Sequence, residues 1–209
     1  MCSFKCCVCM FHACLVSFVA FTTPSLTQPT HPQYNAPPRV LAMWRPSCMP
    51  YEVHELQHDG TIMVADGALG QPATRMWLDG TQLPRPLPPA TNSAMAVLPL
   101  GDGLIVVSGG ENRVERTGTV AWQQRGLLRP WTAVVSRTEL LVTEYKGKRV
   151  AVLSLATGVI LRYFGELLVG PRGIALGPAG EIIVADSGVP YPNSLPEGTI
   201  AGVIQVRGV

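Results

Sequence analysis

Residues 170–188 read GPRGIALGPAGEIIVADSG. The apolar stretch GIAL (173–176) is followed by the turn-forming run GPAG (177–180) and by a second apolar stretch, EIIVA (181–185), which closes on Asp186-Ser187. Short apolar runs bounded by Gly and Pro read as two strands joined by a hairpin. The second strand has three counterparts upstream: GTIMVADG (60–67), DGLIVVSGGENRV (102–114) and ELLVTEYKGKRVAVL (139–153). Alignment brings Val64, Val106, Val142 and Val184 into register at spacings of 42, 36 and 42 residues. Asp66, Ser108, Glu144 and Asp186 then share one position, and Arg113-Val114 and Arg149-Val150 match five residues further on. A self-similar period near 40 residues is the mark of a repeat architecture.

Each copy extends in both directions. Residues 53–56 precede a turn at His58-Asp59-Gly60, and residues 94–98 precede one at Gly101-Asp102-Gly103. Downstream of the third copy, residues 150–155, Thr157-Gly158 and residues 159–164 read as strand, turn and strand. The unit is therefore a four-stranded antiparallel meander, and such units bury their faces by stacking radially. The expected fold is an all-β propeller. Composition agrees: with 21 glycines and 19 prolines in 209 residues, long helices are disfavoured. At 47% apolar and 14% charged, the chain is also too apolar to stay disordered.

Residues 170–188 resemble the NHL repeat, whose pattern is Pro-x-Gly-Ile-Ala, a turn, and an apolar strand ending in Ala-Asp-Ser or similar. ELLVTEYKGKRVAVLSLATGVILRYFG (139–165) looks like the remainder of such a repeat, with its Arg-Val opening and closing Phe-Gly. The resemblance implies a propeller of nominally six blades, of which four are recognisable. It is good over 127–188 and weaker over 50–126. Trp131 stands where the repeat has its Gly, the next hairpin is shortened to Ser136-Arg137-Thr138, and VPYPNSLPEG (189–198) interrupts the last unit. A fragment, a truncated product and a ring completed by self-association with another chain all remain open.

The amino terminus reads as a separate object. CCVCMFHACLVSFVAF (6–21) follows the lone charge of Lys5 and has the anatomy of a signal peptide or a membrane anchor. Five of the six cysteines lie before residue 15, and Cys48 is alone in the body. They read first as small hydrophobes, with palmitoylation as the functional alternative. TTPSLTQPTHPQYNAPPR (22–39) reads as a stiff Pro-rich linker. Residues 1–21, 22–39 and 40–209 are thus the expected parts, and the expected location is secreted or membrane-associated.

Charge excludes one class of partner. Lys5 and Arg39 account for the net charge of +2, so the remainder is neutral. The one local cluster, Lys146, Lys148 and Arg149, falls short of the basic face a nucleic-acid binder needs. The carboxylate and hydroxyl series Asp66, Ser108, Glu144 and Asp186 reads as a structural repeat position, bonding backbone amides of the turn that follows. His54 and Glu55, with His58 nearby, are the remaining candidates for metal or acid–base chemistry.

Two functions are expected from this pattern. The first is a non-catalytic module that binds a protein or glycan through its inter-strand loops, residues 68–74 and 189–198, with Tyr191 as the contact to test and no cofactor. The second is a metal-dependent hydrolase or lyase, with Asp186, His54 and Glu55 around one divalent cation such as calcium. Resemblance to the gluconolactonase family rests on Asp186-Ser187. That to the streptogramin-lyase family rests on WLDGTQLPRPLP (77–88), without a recognisable catalytic His and Glu set. Arg172 stands where the gluconolactonase pattern needs Asn, so a guanidinium would face the cation.

Overall fold

The computed structural model describes residues 61–65, 73–77, 81–83, 94–177 and 180–187. It also describes the backbone of strand residues 6–7, 16–20, 39–44, 50–54, 66 and 202–206. Every regular element among them is a strand. From the first segment come β1 (Cys6–Cys7), β2 (Val16–Ala20) and β3 (Arg39–Trp44), of which β2 and β3 pair antiparallel. Blade one continues with β4 (Pro50–His54), β5 (Thr61–Asp66) and β6 (Thr74–Trp77), and its fourth strand is β1, paired to β4. The apolar run at 6–21 thus supplies two paired strands.

Blade two is the meander β7 (Ala96–Leu100), β8 (Gly103–Ser108), β9 (Arg113–Arg116) and β10 (Trp122–Arg125). Blade three repeats it with β11 (Pro130–Ser136), β12 (Glu139–Glu144), β13 (Arg149–Ser154) and β14 (Ile160–Phe164). Blade four has β15 (Pro171–Leu176), β16 (Ile182–Asp186) and β17 (Gly202–Val206). The first strand of each blade lies on the first two strands of the blade before it: β7 on β4 and β5, β11 on β7 and β8, β15 on β11 and β12. This is the radial stacking of a β-propeller.

The aligned valines explain why the repeat is visible. Val64, Val106, Val142 and Val184 lie on the second strand of each blade and are all 0% exposed. Side chains alternate along a strand, so Val142 faces back to blade two while Leu141 faces forward to blade four. Both faces of each inner strand are buried, which demands a nearly unbroken apolar run such as LIVV or ELLV. Arg113 and Arg149 open β9 and β13, as their match in sequence predicts.

Two sequence expectations shift. The first strand of blade one runs over Pro50–His54 instead of 53–56, so Glu55 falls outside the strand and outside the described residues. Pro50, Pro130 and Pro171 each open a first strand opposite the residue that ends the second, Asp66, Glu144 and Asp186. Proline is tolerated there because the first residue of a strand need not donate to the ladder. A register shift follows each proline, so the first strand carries one extra residue before regular pairing resumes at Glu52, Ala133 and Gly173. With Pro130 opposite Glu144 and Pro171 opposite Asp186, Trp131 is the counterpart of Arg172, and Thr132 holds the position of Gly173.

Candidate functional site

The series Asp66, Ser108, Glu144 and Asp186 ends the four second strands. The Glu144 side chain is fully buried. Its Oε1 accepts the N–H of Leu128 at 2.6 Å, and its Oε2 pairs with Nε of Arg149 at 2.5 Å. Asp186 accepts two amides, Val169 N–H at Oδ2 (2.8 Å) and Gly170 N–H at Oδ1 (2.6 Å). Leu128, Val169 and Gly170 all precede the first strand of their blade. The carboxylates therefore clasp the segment arriving from the previous blade. Ser108 cannot reach so far: its Oγ is buried without a hydrogen-bond partner. Asp66 is placed by its backbone at the end of β5.

At the same end of the fold, the bulged positions bring a cation and two aromatic rings together. Trp131 follows Pro130 on β11, Tyr145 follows Glu144 at the end of β12, and Arg172 follows Pro171 on β15. The rings of Trp131 and Tyr145 are 5.5 Å apart and tilted by 52°. The Arg172 guanidinium carbon lies 4.9 Å from the Trp131 ring centre and 5.1 Å from that of Tyr145. Cation–π attraction of this kind holds a guanidinium beside the rings. The backbone beneath is also fixed, because the buried Thr143 hydroxyl accepts Thr132 N–H at 3.2 Å and donates to the Arg172 carbonyl at 2.9 Å. Arg172 is half-buried, and its Nε is buried without a hydrogen-bond partner.

Of the three residues expected around a cation, Asp186 alone has its side chain described; His54 is placed by its backbone, and Glu55 lies outside the described residues. Asp186 stands opposite Pro171, and its counterpart Asp66 stands opposite Pro50. His54 closes β4 at the other end, opposite Met63, about 13 Å along the strand from Pro50. Asp186 has both oxygens engaged by backbone amides, and the next first-strand residue after Pro171 is the cationic Arg172. Tyr191, Glu55 and His58 lie outside the described residues. The Trp131–Tyr145–Arg172 cluster escaped the sequence reading. Its signal was the residue after each strand-opening proline, a column hidden by placing Trp131 one position too late.

A scan against protein-family models finds no match, nor does a search of curated protein sequences. Among solved structures, the chain is similar to a streptogramin B lyase, with a TM-score of 0.51 and 14% identity over 71% of this chain and 53% of that one. It is also similar to selenomethionine-substituted virginiamycin B lyase from Staphylococcus aureus, with a TM-score of 0.50 and 16% identity over 71% of this chain and 55% of that one. The chain spans about half the length of these structures. At such identity the likeness is one of fold, and the fold shared is a propeller of antiparallel sheets.

Proposed function

We propose that the chain is a non-catalytic binding module of the NHL-repeat type, taking a protein or glycan at the end of the propeller where the first strands open. The observation that carries this reading is the Arg172 guanidinium held against Trp131 and Tyr145 at that end. Trp131 and Arg172 are partly exposed there while Tyr145 is buried, and a rigid, partly exposed ring beside a cation gives contact area at small entropic cost. The neighbouring carboxylates are committed to architecture: Glu144 to Leu128 and Arg149, Asp186 to Val169 and Gly170. Loops at residues 68–74 and 189–198, including Tyr191, complete the proposed contact surface.

The test is a screen of the full chain against a displayed peptide library and a glycan array, repeated with Trp131→Ala and Tyr191→Ala. Specific ligands lost in Trp131→Ala, with an unchanged melting temperature, support the reading. Binders indifferent to both substitutions would refute it. Export or tethering through residues 6–21 belongs to the same proposal. Cleavage after Ala20 would remove β1 and β2 and leave β3 without its partner, and amino-terminal sequencing of the mature chain decides between removal and retention.

A further inference from the structure

We infer that Arg172 is an oxyanion-binding residue, so that the ligand of this module carries a carboxylate or a phosphoryl group beside an apolar surface. The inference rests on the binding-module reading and names the chemistry of its ligand. Three observations carry it. First, among the described residues no carboxylate pairs with Arg172. Glu144 and Asp186, the acidic groups ending the adjacent second strands, are held by backbone amides, and Glu144 also by Arg149. Second, Nε of Arg172 is buried without a hydrogen-bond partner among the described residues, so the half-buried guanidinium is partly desolvated, which strengthens its attraction for an anion at its terminal N–H groups. Third, the group is positioned: the Trp131 and Tyr145 ring centres lie 4.9 and 5.1 Å from the guanidinium carbon, and Thr143 holds the carbonyl of the same residue.

A guanidinium offers parallel N–H donors at the spacing of a carboxylate or phosphate edge. With the rings beside it and Nε buried, the terminal N–H pair is where an oxyanion docks, and an apolar part of the same ligand lies along Trp131. A divalent cation is repelled from the same place. The inference also accounts for an arginine here, because lysine would give a point charge without the fork.

The experiment uses the full chain labelled uniformly with nitrogen-15. Its Arg172 Nε–H resonance is identified as the one absent from Arg172→Lys. Sodium benzoate and inorganic phosphate are titrated separately, with sodium chloride at matched ionic strength as control. The expected result is a saturable shift of that resonance at millimolar oxyanion, with none from chloride. Affinity falls about tenfold in Arg172→Lys, read on neighbouring amides, and roughly threefold in Trp131→Leu. A response to benzoate alone assigns a carboxylate ligand, and one to phosphate alone assigns a phosphoryl ligand. A resonance that ignores both, or follows chloride equally, overturns the inference. If library ligands still bind through Trp131 in that case, the binding-module reading stands without it. If they do not, both fall.

Discussion

The backbone N–H of Leu128 donates to Oε1 of Glu144 at 2.6 Å, sixteen residues further along the chain. The same carboxylate holds Arg149 through its other oxygen, and Arg149 stacks 3.6 Å from the centre of the Tyr163 ring. One buried side chain thus joins the arrival of blade three to its third and fourth strands. Replacing it by alanine strands a buried amide and an arginine together. Glu144→Ala should cost about 3 kcal/mol by urea denaturation, and Glu144→Gln, which keeps an acceptor for Leu128, clearly less. Exposed Glu166→Ala is the control, expected within about 0.5 kcal/mol of wild type. Equal losses in the alanine variant and the control would refute the clasp.

Ser108 occupies the same position in blade two, but its hydroxyl has no partner. Ser108→Ala should therefore change stability by no more than about 0.5 kcal/mol, or raise it, because a buried unpaired hydroxyl is removed. A loss comparable to that of Glu144→Ala would reveal a bond equivalent to the clasp.

Blades two and three meet at the Leu155 carbonyl, which accepts Nε1–H of Trp122 at 3.0 Å and a guanidinium N–H of Arg116 at 2.9 Å. Gly158 sits beneath that indole with φ of +74°, and a Cβ there would lie 2.4 Å from the ring. Gly158→Ala meets both a left-handed backbone and a clash. It should cost at least about 1 kcal/mol and shift the tryptophan near-ultraviolet signal. An unchanged spectrum would place Trp122 elsewhere.

Legibility followed the range of each interaction. The valine column and hairpins were readable because each strand's own residues carry the burial pattern. The β7–β8 and β11–β12 hairpins close in two residues, Gly101-Asp102 and Arg137-Thr138, where the turn residues predicted them. The opening of β4 was misplaced because Pro50 looks like a breaker, yet at the first position of a strand it is tolerated. The clasp was assigned to the following turn because a local pattern cannot reveal an amide sixteen residues upstream. The Trp131–Tyr145–Arg172 cluster draws on β11, the end of β12 and β15, so only the register between blades brings its members together.

Glu139 and Arg162 reach across β13 in a bidentate pair, at 2.5 and 2.9 Å. The Arg162 hydrogen bond holds the Glu139 carboxyl below the usual glutamate range, against a smaller effect of burial. A depressed carboxyl stabilises the fold fully above the unfolded-state pKa and ceases to do so as pH falls through its folded value. Both side chains are partly solvated, so the contribution is about 0.5 kcal/mol. Urea titrations at neutral and acid pH should show that increment vanish with acid in the wild type. Arg162→Gln should lack it at neutral pH. A variant with the full acid dependence of wild type would dismiss the pair.

Ligand binding at this end of the propeller, as proposed, needs no metal, and native mass spectrometry of the full chain with added calcium separates it from the hydrolase or lyase reading. No stoichiometric divalent ion should be retained, in the wild type or in Asp186→Ala. One tightly held ion per chain, lost in Asp186→Ala while the fold survives, would contradict the account and restore the hydrolase or lyase reading.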